Sequence, residues 1–343
     1  MNTVILRVKP NSRFHFGRVA LDTNTGLLDT SEIIHSDLLY GALISNLAQI
    51  GNKEQLEKLI TAFKNNDIVL SSGFYCIEKA KNDFTYLLPR PVHSQNYIEE
   101  YENIKKIGSV KFVSLDVLKT HPKYWIVNKK SKVLLSNDET KLLGKDLELY
   151  STEVVTNVNV HPTNKKSSVF NTAFIQIADI EKKENSLYPQ VHFYFLYEYS
   201  VMCNAEIKEV FQFSVKLIER NGLGGERSSG CGFIENVDFE QTFNEPKIDA
   251  PVQQISLGLF IPTEDEFKWF KYYNYITRGG RRTAKGGELS RVRMLAEGAI
   301  IKAGTQPKGT WKNLNNDDND DNEPFLRFGK SLTIQIPDYD SNR

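Results

Sequence analysis

Little in this sequence points to covalent or metal chemistry. Its 343 residues include only three cysteines, Cys76, Cys203 and Cys231, unpaired by spacing and without a C-x-x-C. That usage fits a reducing cytosol and argues against zinc and against a disulfide framework. The acidic, asparagine-rich run at 313–323 lacks the glycine and trailing glutamate of a calcium loop, so it reads as a disordered, solvated loop. No metal or cofactor is expected. An excess of either charge is missing too, since 43 lysines and arginines meet 43 aspartates and glutamates. Any footprint for a polyanion must therefore be local. No apolar run is long enough to span a bilayer, and the stretch ending at Lys9 turns charged too soon for a signal peptide. A soluble, cytoplasmic protein with no membrane partner is expected.

What the chain has instead is a concentration of glycine. Gly222-Leu-Gly-Gly-Glu-Arg-Ser-Ser-Gly-Cys-Gly232 holds five glycines in eleven residues. Glycine inside a helix or central strand costs about 1 kcal/mol relative to alanine, so this stretch is a loop. Arg227, Ser228 and Ser229 add a guanidinium fork and two hydroxyls. With successive backbone amides they suggest a concavity for an anion, phosphate first. The nucleotide-loop templates fail: no Lys-Ser/Thr pair follows, and G-x-G-x-x-G breaks at Arg227 or at Glu235. Before the loop, Ile207, Val210, Phe211, Val215 and Ile218 fall at helical spacing across 205–219; after it, 233–239 reads as a strand. Helix, glycine loop, strand reverses the order around a nucleotide phosphate and weighs against a small-molecule phosphate-binding enzyme. A plain helix-to-strand turn with an incidental arginine is the bland alternative.

The size suggests two domains. In the first, residues 4–8 form a strand, and Phe14-His-Phe-Gly17 follows it. A strongly apolar helix over 38–47 comes next, with Ser36 or Asp37 placed to cap it. Asp37 is read as a cap before a catalytic carboxylate, and Phe14, Phe16 and His35 could be ordinary core residues. A second helix is expected over 56–63 and a strand over 68–77, kinked at Gly73. Residues 86–91 are extended by their prolines, and 128–150 carries one weak helix. Strands at 154–160 and 170–177, joined by a polar tip with Lys165 and Lys166, make a projecting hairpin that could equally be a solvated surface turn. The strand at 191–199 places Phe193, Phe195 and Tyr197 inward and His192 and Tyr194 outward. Residues 246–251 form a linker. Beyond it come a strand at 254–261, a short helix to Tyr273 with the capping box of Thr263 and Glu266, and a last strand at 332–336. Arg278, Arg281, Arg282, Lys285, Arg291 and Arg293 make the most basic local patch, suited to phosphates or to a protein neighbour.

Several of these pieces together resemble one family. The glycine loop resembles that of the repeat-associated RNA-binding (RAMP) proteins of CRISPR–Cas effector complexes. Phe14 to Gly17 with Ile34-His-Ser-Asp37, the prolines of 86–91, the lysines of 105–114 and the run from Tyr275 to Gly298 are similar to the subunit of type III-A (Csm) complexes that holds the 5′ end of the guide RNA. Leu38 stands where that family often has threonine. Asn157 to His161 departs from the family's usual entry to the hairpin.

The resemblance implies an α+β chain of two ferredoxin-like (RRM-like) domains, 1–245 and 252–343, the first enlarged by insertions including the hairpin. It implies a non-catalytic protein that caps the 5′ handle of a CRISPR RNA. Its expected neighbours are the large polymerase-like signalling subunit and the backbone RAMP subunit, with target RNA met only indirectly. The RNA-facing residues expected are Phe14, His15, Phe16, Gly17, His35, Ser36, Lys165, Lys166, Gly222, Leu223, Gly224, Gly225, Arg227, Ser228, Ser229, Gly230, Arg278, Arg281 and Arg282. The rival within the same superfamily is a metal-independent endoribonuclease cutting precursor CRISPR RNA. It would need an acid–base group such as His15, His35 or Lys166.

Overall fold

The computed structural model describes residues 1–17, 28–98, 101–127, 132–145, 147–160, 167–180, 187–245, 247–248, 252–281, 288–315 and 325–340. Lys165, Lys166, Arg282, Lys285, most of the 246–251 linker and most of the acidic run lie outside the described residues. No helix among the described residues is long and apolar enough to cross a membrane.

In chain order, strands β1 (Asn2–Arg7) and β2 (Arg13–Phe14) precede helices α1 (Ser36–Ile50) and α2 (Lys53–Lys64). Next come β3 (Ile68–Leu70), β4 (Phe74–Ala80), β5 (Asp83–Pro89), α3 (Tyr101–Ile107) and β6 (Phe112–Ser114). The short α4 (Leu115–Leu118), β7 (Val133–Leu134) and α5 (Asn137–Leu143) lead into a long hairpin, β8 (Tyr150–Val160) with β9 (Ser167–Ile177). The first half ends with β10 (Gln190–Tyr199), α6 (Ala205–Asn221) and β11 (Asn236–Thr242).

The main sheet runs β11-β1-β10-β4-β5-β6-β7, with β3 also paired to β10. Counting β1, β3 with β4, β10 and β11 as the strands of one β-α-β-β-α-β unit, their order is fourth, first, third, second. Helices α1, α2 and α6 pack together. The strand expected over 68–77 is split in two. At the break the Ser72 amide donates to Leu257 O (2.7 Å), from the second half of the chain, and Gly73 bridges Ile34.

Burial corrects one alternation. Both rows of β10 are inside, His192 and Tyr194 as fully as Phe193 and Phe195. Phe193 packs on Phe14, Phe16 and Tyr75. Tyr194 packs on Phe74 and Tyr86, and its hydroxyl donates to Leu87 O (3.0 Å). His192 accepts from the Val8 amide through Nδ1 and meets Glu78 through Nε2. A polar imidazole is tolerated there because both ring nitrogens are partnered.

The second half contains β12 (Val252–Ser256), α7 (Glu264–Phe267), β13 (Phe270–Tyr272), β14 (Tyr275–Arg281), β15 (Glu288–Leu295), β16 (Ile300–Ile301), β17 (Thr310–Asn313), β18 (Leu326–Gly329) and β19 (Thr333–Pro337). Its sheet, β13-β16-β12-β19, repeats the strand order of the first unit. Thr263 and Glu266 do form a capping box, yet α7 lasts only four residues before β13 begins. It is the one helix of this half among the described residues, and the hairpin β17–β18 precedes the fourth strand. The fold is α+β, as expected. One apolar core runs through both halves, with Ile255, Leu257, Phe328, Leu332 and Ile334 in the same cluster as Val4, Leu43 and Phe211.

Candidate nucleic-acid interface

The glycine loop begins where α6 ends. Gly222 takes a positive φ and its amide donates to Ile218 O (2.8 Å), closing the last helical turn. Leu223 drops into the core, and its amide donates to Gly232 O (2.9 Å), which ties the two ends of the loop together. Gly225 N donates to His15 O (2.8 Å) and Gly232 N to Arg13 O (2.8 Å), so the inner half lies against residues 13–15. Gly232, at φ 78°, is required there: a Cβ would stand 2.3 Å from Leu223 O.

These bonds correct the expected cradle of successive amides. The amides of Gly222, Leu223, Gly225 and Gly230 to Gly232 are all consumed inside the protein. What faces solvent is the outer half, a 3-10 turn at Arg227–Ser229 followed by Gly230, all four residues exposed. Arg227 spends one donor on Asn221 O (3.0 Å). A guanidinium carries five N–H donors, so the rest are open to a ligand.

The segment next to the loop is mostly buried. Phe14 and Phe16 stack on each other at 5.6 Å and meet Phe193 edge-on, which corrects their placement on an RNA-facing edge: both rings are core. Between them His15 turns the other way, donates through Nδ1 to Ala173 O (2.8 Å) and is only 4% exposed. Gly17 bridges Thr30 and is exposed.

A second polar centre lies at the start of α1, and it is sealed. His35 is the residue before the first helical turn, and it caps without a side-chain bond, so neither Ser36 nor Asp37 is the cap. His35 donates through Nδ1 to Glu297 (2.8 Å), and its Nε2 meets Ser31 Oγ (2.9 Å). Ser36 Oγ accepts from the Leu259 amide (3.0 Å). Asp37 is fully buried and takes Arg278 in a bidentate pair, Nε at 2.9 Å and Nη2 at 3.0 Å. Arg327 adds a third bond at 2.6 Å. Burial alone would raise the Asp37 carboxyl, but the two guanidiniums outweigh it and hold the group down at about 2. Burial also raises the cost of the Glu297 charge, and His35 with Ser72 keeps that carboxyl below its ordinary value.

His35, Ser36 and Arg278 were expected to face RNA. They instead join the first unit to the second, because a helix start packed against another sheet must satisfy its polar groups internally. His15 and His35, expected to serve a nuclease if there were one, are both tied into these internal bonds. Arg327, Glu297 and Ser72 complete the joint, and the spacing of the sequence does not point to them. Asp37 and Arg327 are 290 positions apart. Among the described residues no group of three or more His, Cys, Asp or Glu could hold a metal ion.

Of the expected RNA-facing residues, the structure brings Gly17, Gly222, Gly224, Gly225, Arg227, Ser228, Ser229 and Gly230 to one rim with part of their surface open. Leu223 is core, and Arg281 lies at the end of β14.

Comparison with known proteins covers most of the chain. Residues 250–336 match the family described as the CRISPR Csm4 C-terminal domain. A curated protein of Methanocaldococcus jannaschii, named CRISPR system Cms protein Csm4, is 30% identical over 88% of this chain and 86% of its own length. A protein of the same name from Thermococcus onnurineus is 24% identical over 79% of this chain and 82% of its own. Among solved structures, a chain of the Csm3-Csm4 subcomplex in the type III-A CRISPR-Cas interference complex matches with TM-score 0.66 and 27% identity, over 97% of this chain and 99% of that one. A chain of the Csm1-Csm4 cassette in complex with cA4, 18% identical over 98% of this chain and 97% of that one with TM-score 0.54, shares the fold.

Proposed function

The chain belongs to the Csm4 family, and from that membership we propose that it is a non-catalytic, RNA-binding subunit of a type III-A CRISPR interference complex that holds the 5′ handle of the CRISPR RNA. Its neighbours in this reading are the large signalling subunit and the first backbone RAMP subunit. Relatives solved as a Csm3-Csm4 subcomplex and as a Csm1-Csm4 cassette support that assignment. Residues 1–245 would carry the handle, and 252–343 would fix the start of α1 from behind.

The observation that carries the reading is the outer glycine loop. A short turn presents Arg227, Ser228, Ser229 and Gly230 to solvent, while its inner half is bolted to residues 13–15. A planar donor fork and two hydroxyls on a rigid base suit phosphate oxygens, and rigidity reduces the ordering cost on binding. Lys165 and Lys166, which fall between β8 and β9 in sequence, and Arg281, the last residue of β14, with Arg282 next in sequence, would add sequence-independent charge.

Arg227→Ala in the purified chain is expected to weaken binding of a handle-bearing RNA by about 1.5–3 kcal/mol, the range for hydrogen bonds to charged groups. Arg227→Lys should recover only part of it, since a point charge lacks the fork. Repeat RNA should stay intact with or without divalent metal. Normal binding by both folded variants, or a site-specific cleavage product from the wild-type chain, overturns the reading.

A further inference from the structure

The hairpin of β14 and β15 has two unlike faces. In the register Tyr275 opposite Leu295, Ile276 opposite Met294 and Thr277 opposite Arg293, side chains alternate sides. Val292 and Met294 are buried, and Ile276 is half-buried with them. Arg278 is the cation on that inner side, and Asp37 neutralises it. The outer side carries Tyr275, Thr277, Arg291 and Arg293, all exposed, with Tyr275 at 55%, while Leu295, opposite Tyr275 at the end of the strand pair, is buried in a cluster with Phe260 and Phe270. Neither Arg291 nor Arg293 forms an ion pair with a described residue. Tyr273 meets the Tyr275 ring edge-on at 5.4 Å and is itself packed on Phe267 at 5.3 Å. The exposed ring is thus braced by Tyr273, with Arg293 diagonally across the strand pair.

We propose that this outer face is a base-stacking and phosphate-binding platform for single-stranded RNA, with Tyr275 taking a base and Arg291 and Arg293 taking backbone phosphates. This rests on the RNA-binding reading above and extends it to a second surface. Two exposed guanidiniums beside an exposed aromatic ring suit a polyanion that carries π-faces of its own. A single strand answers both features at once, with π-faces for the ring and phosphates for the cations. A duplex fits less well because its bases are already stacked. From the underside of the same hairpin Arg278 reaches Gly17 O (3.3 Å), which anchors the platform to the segment that also holds the glycine loop through His15.

The test uses the full-length chain with a labelled 20-nucleotide oligouridylate, a duplex RNA of equal length and a handle-bearing RNA. Tyr275→Ala is expected to weaken oligouridylate binding roughly tenfold, Tyr275→Trp to retain it, and neither to alter duplex binding. Arg291→Ala with Arg293→Ala should reduce the log–log salt slope by about 1.4, at about 0.7 per single-strand phosphate. Wild-type oligouridylate affinity in Tyr275→Ala, or an equal loss on duplex, overturns the proposal. So does intact RNA binding in a Tyr275→Ala variant that no longer assembles with the other subunits. The two readings separate cleanly: loss of handle binding in Arg227→Ala beside a normal Tyr275→Ala sinks the platform alone. The reverse pattern sinks the loop and leaves the platform standing.

Discussion

The start of α1 and the outer half of the glycine loop are both short polar stretches at a helix end, but one is sealed and the other is open. At α1 the second unit covers Ser36 and Asp37 and supplies a partner to each, the Leu259 amide to one and two guanidiniums to the other. At the loop the bonds run inward to residues 13–15, and Arg227 to Gly230 are left facing water. What separates a joint from an interface is therefore where the partners of the polar groups come from. Groups satisfied from a distant part of the same chain hold it together; groups left unsatisfied at the surface are available to another molecule.

The sharpest way to break this comparison is Asp37→Ala. It leaves Arg278 and Arg327 buried without their counter-charge, and removing one partner of a buried pair costs about 3–5 kcal/mol. Urea or thermal unfolding measures it. A loss below about 1 kcal/mol, within the range of surface pairs, would show that the joint is not what binds the two units.

Much of this was readable in advance, and the failures share one cause. Local signals located α6, the glycine loop, the hairpin and the capping box of Thr263 with Glu266, since each depends on residues close in sequence. Partners remote in sequence were not readable. Asp37 looked like a cap because a polar residue at a helix start usually caps; only the folded chain brings Arg278 and Arg327 to it. The outward assignment of His192 and Tyr194 failed for a related reason. Alternation identifies two rows but cannot tell that both are covered. In the candidate site, the chemistry of Arg227, Ser228 and Ser229 was visible, whereas the internal use of the loop amides depended on the neighbouring strand at 13–15.

A smaller effect is expected in acid. The Asp37 carboxyl stands at about 2 in the folded chain against an ordinary 3.8, so folding favours its ionised form. Its contribution is complete above about pH 4 and is lost as pH falls through about 2, for a total of about 2 kcal/mol. Other carboxylates titrate in the same window, so the measurement is a difference. The stability curve of Asp37→Asn should run flatter than that of the wild type between pH 4 and 2. Parallel curves would mean that the carboxylate is not held by the two arginines.

The least effect belongs to the open side of the comparison, at Gly230. Gly230 and Gly232 have nearly the same backbone, with φ at 83° and 78°, but different surroundings. A Cβ at Gly230 meets nothing within 4 Å, whereas one at Gly232 would press into Leu223 O at 2.3 Å. Gly230→Ala should therefore pay only for a left-handed backbone, about 1–2 kcal/mol, without disturbing packing. Gly232→Ala should pay that and the collision as well, because the backbone on both sides of it is hydrogen-bonded and cannot retreat. The pair compares an open and a closed part of one loop at constant chemistry, and thermal unfolding reads it directly. Equal losses at the two positions would mean that the inner loop can yield. The outer turn would then lack the fixed base on which Arg227 is presented.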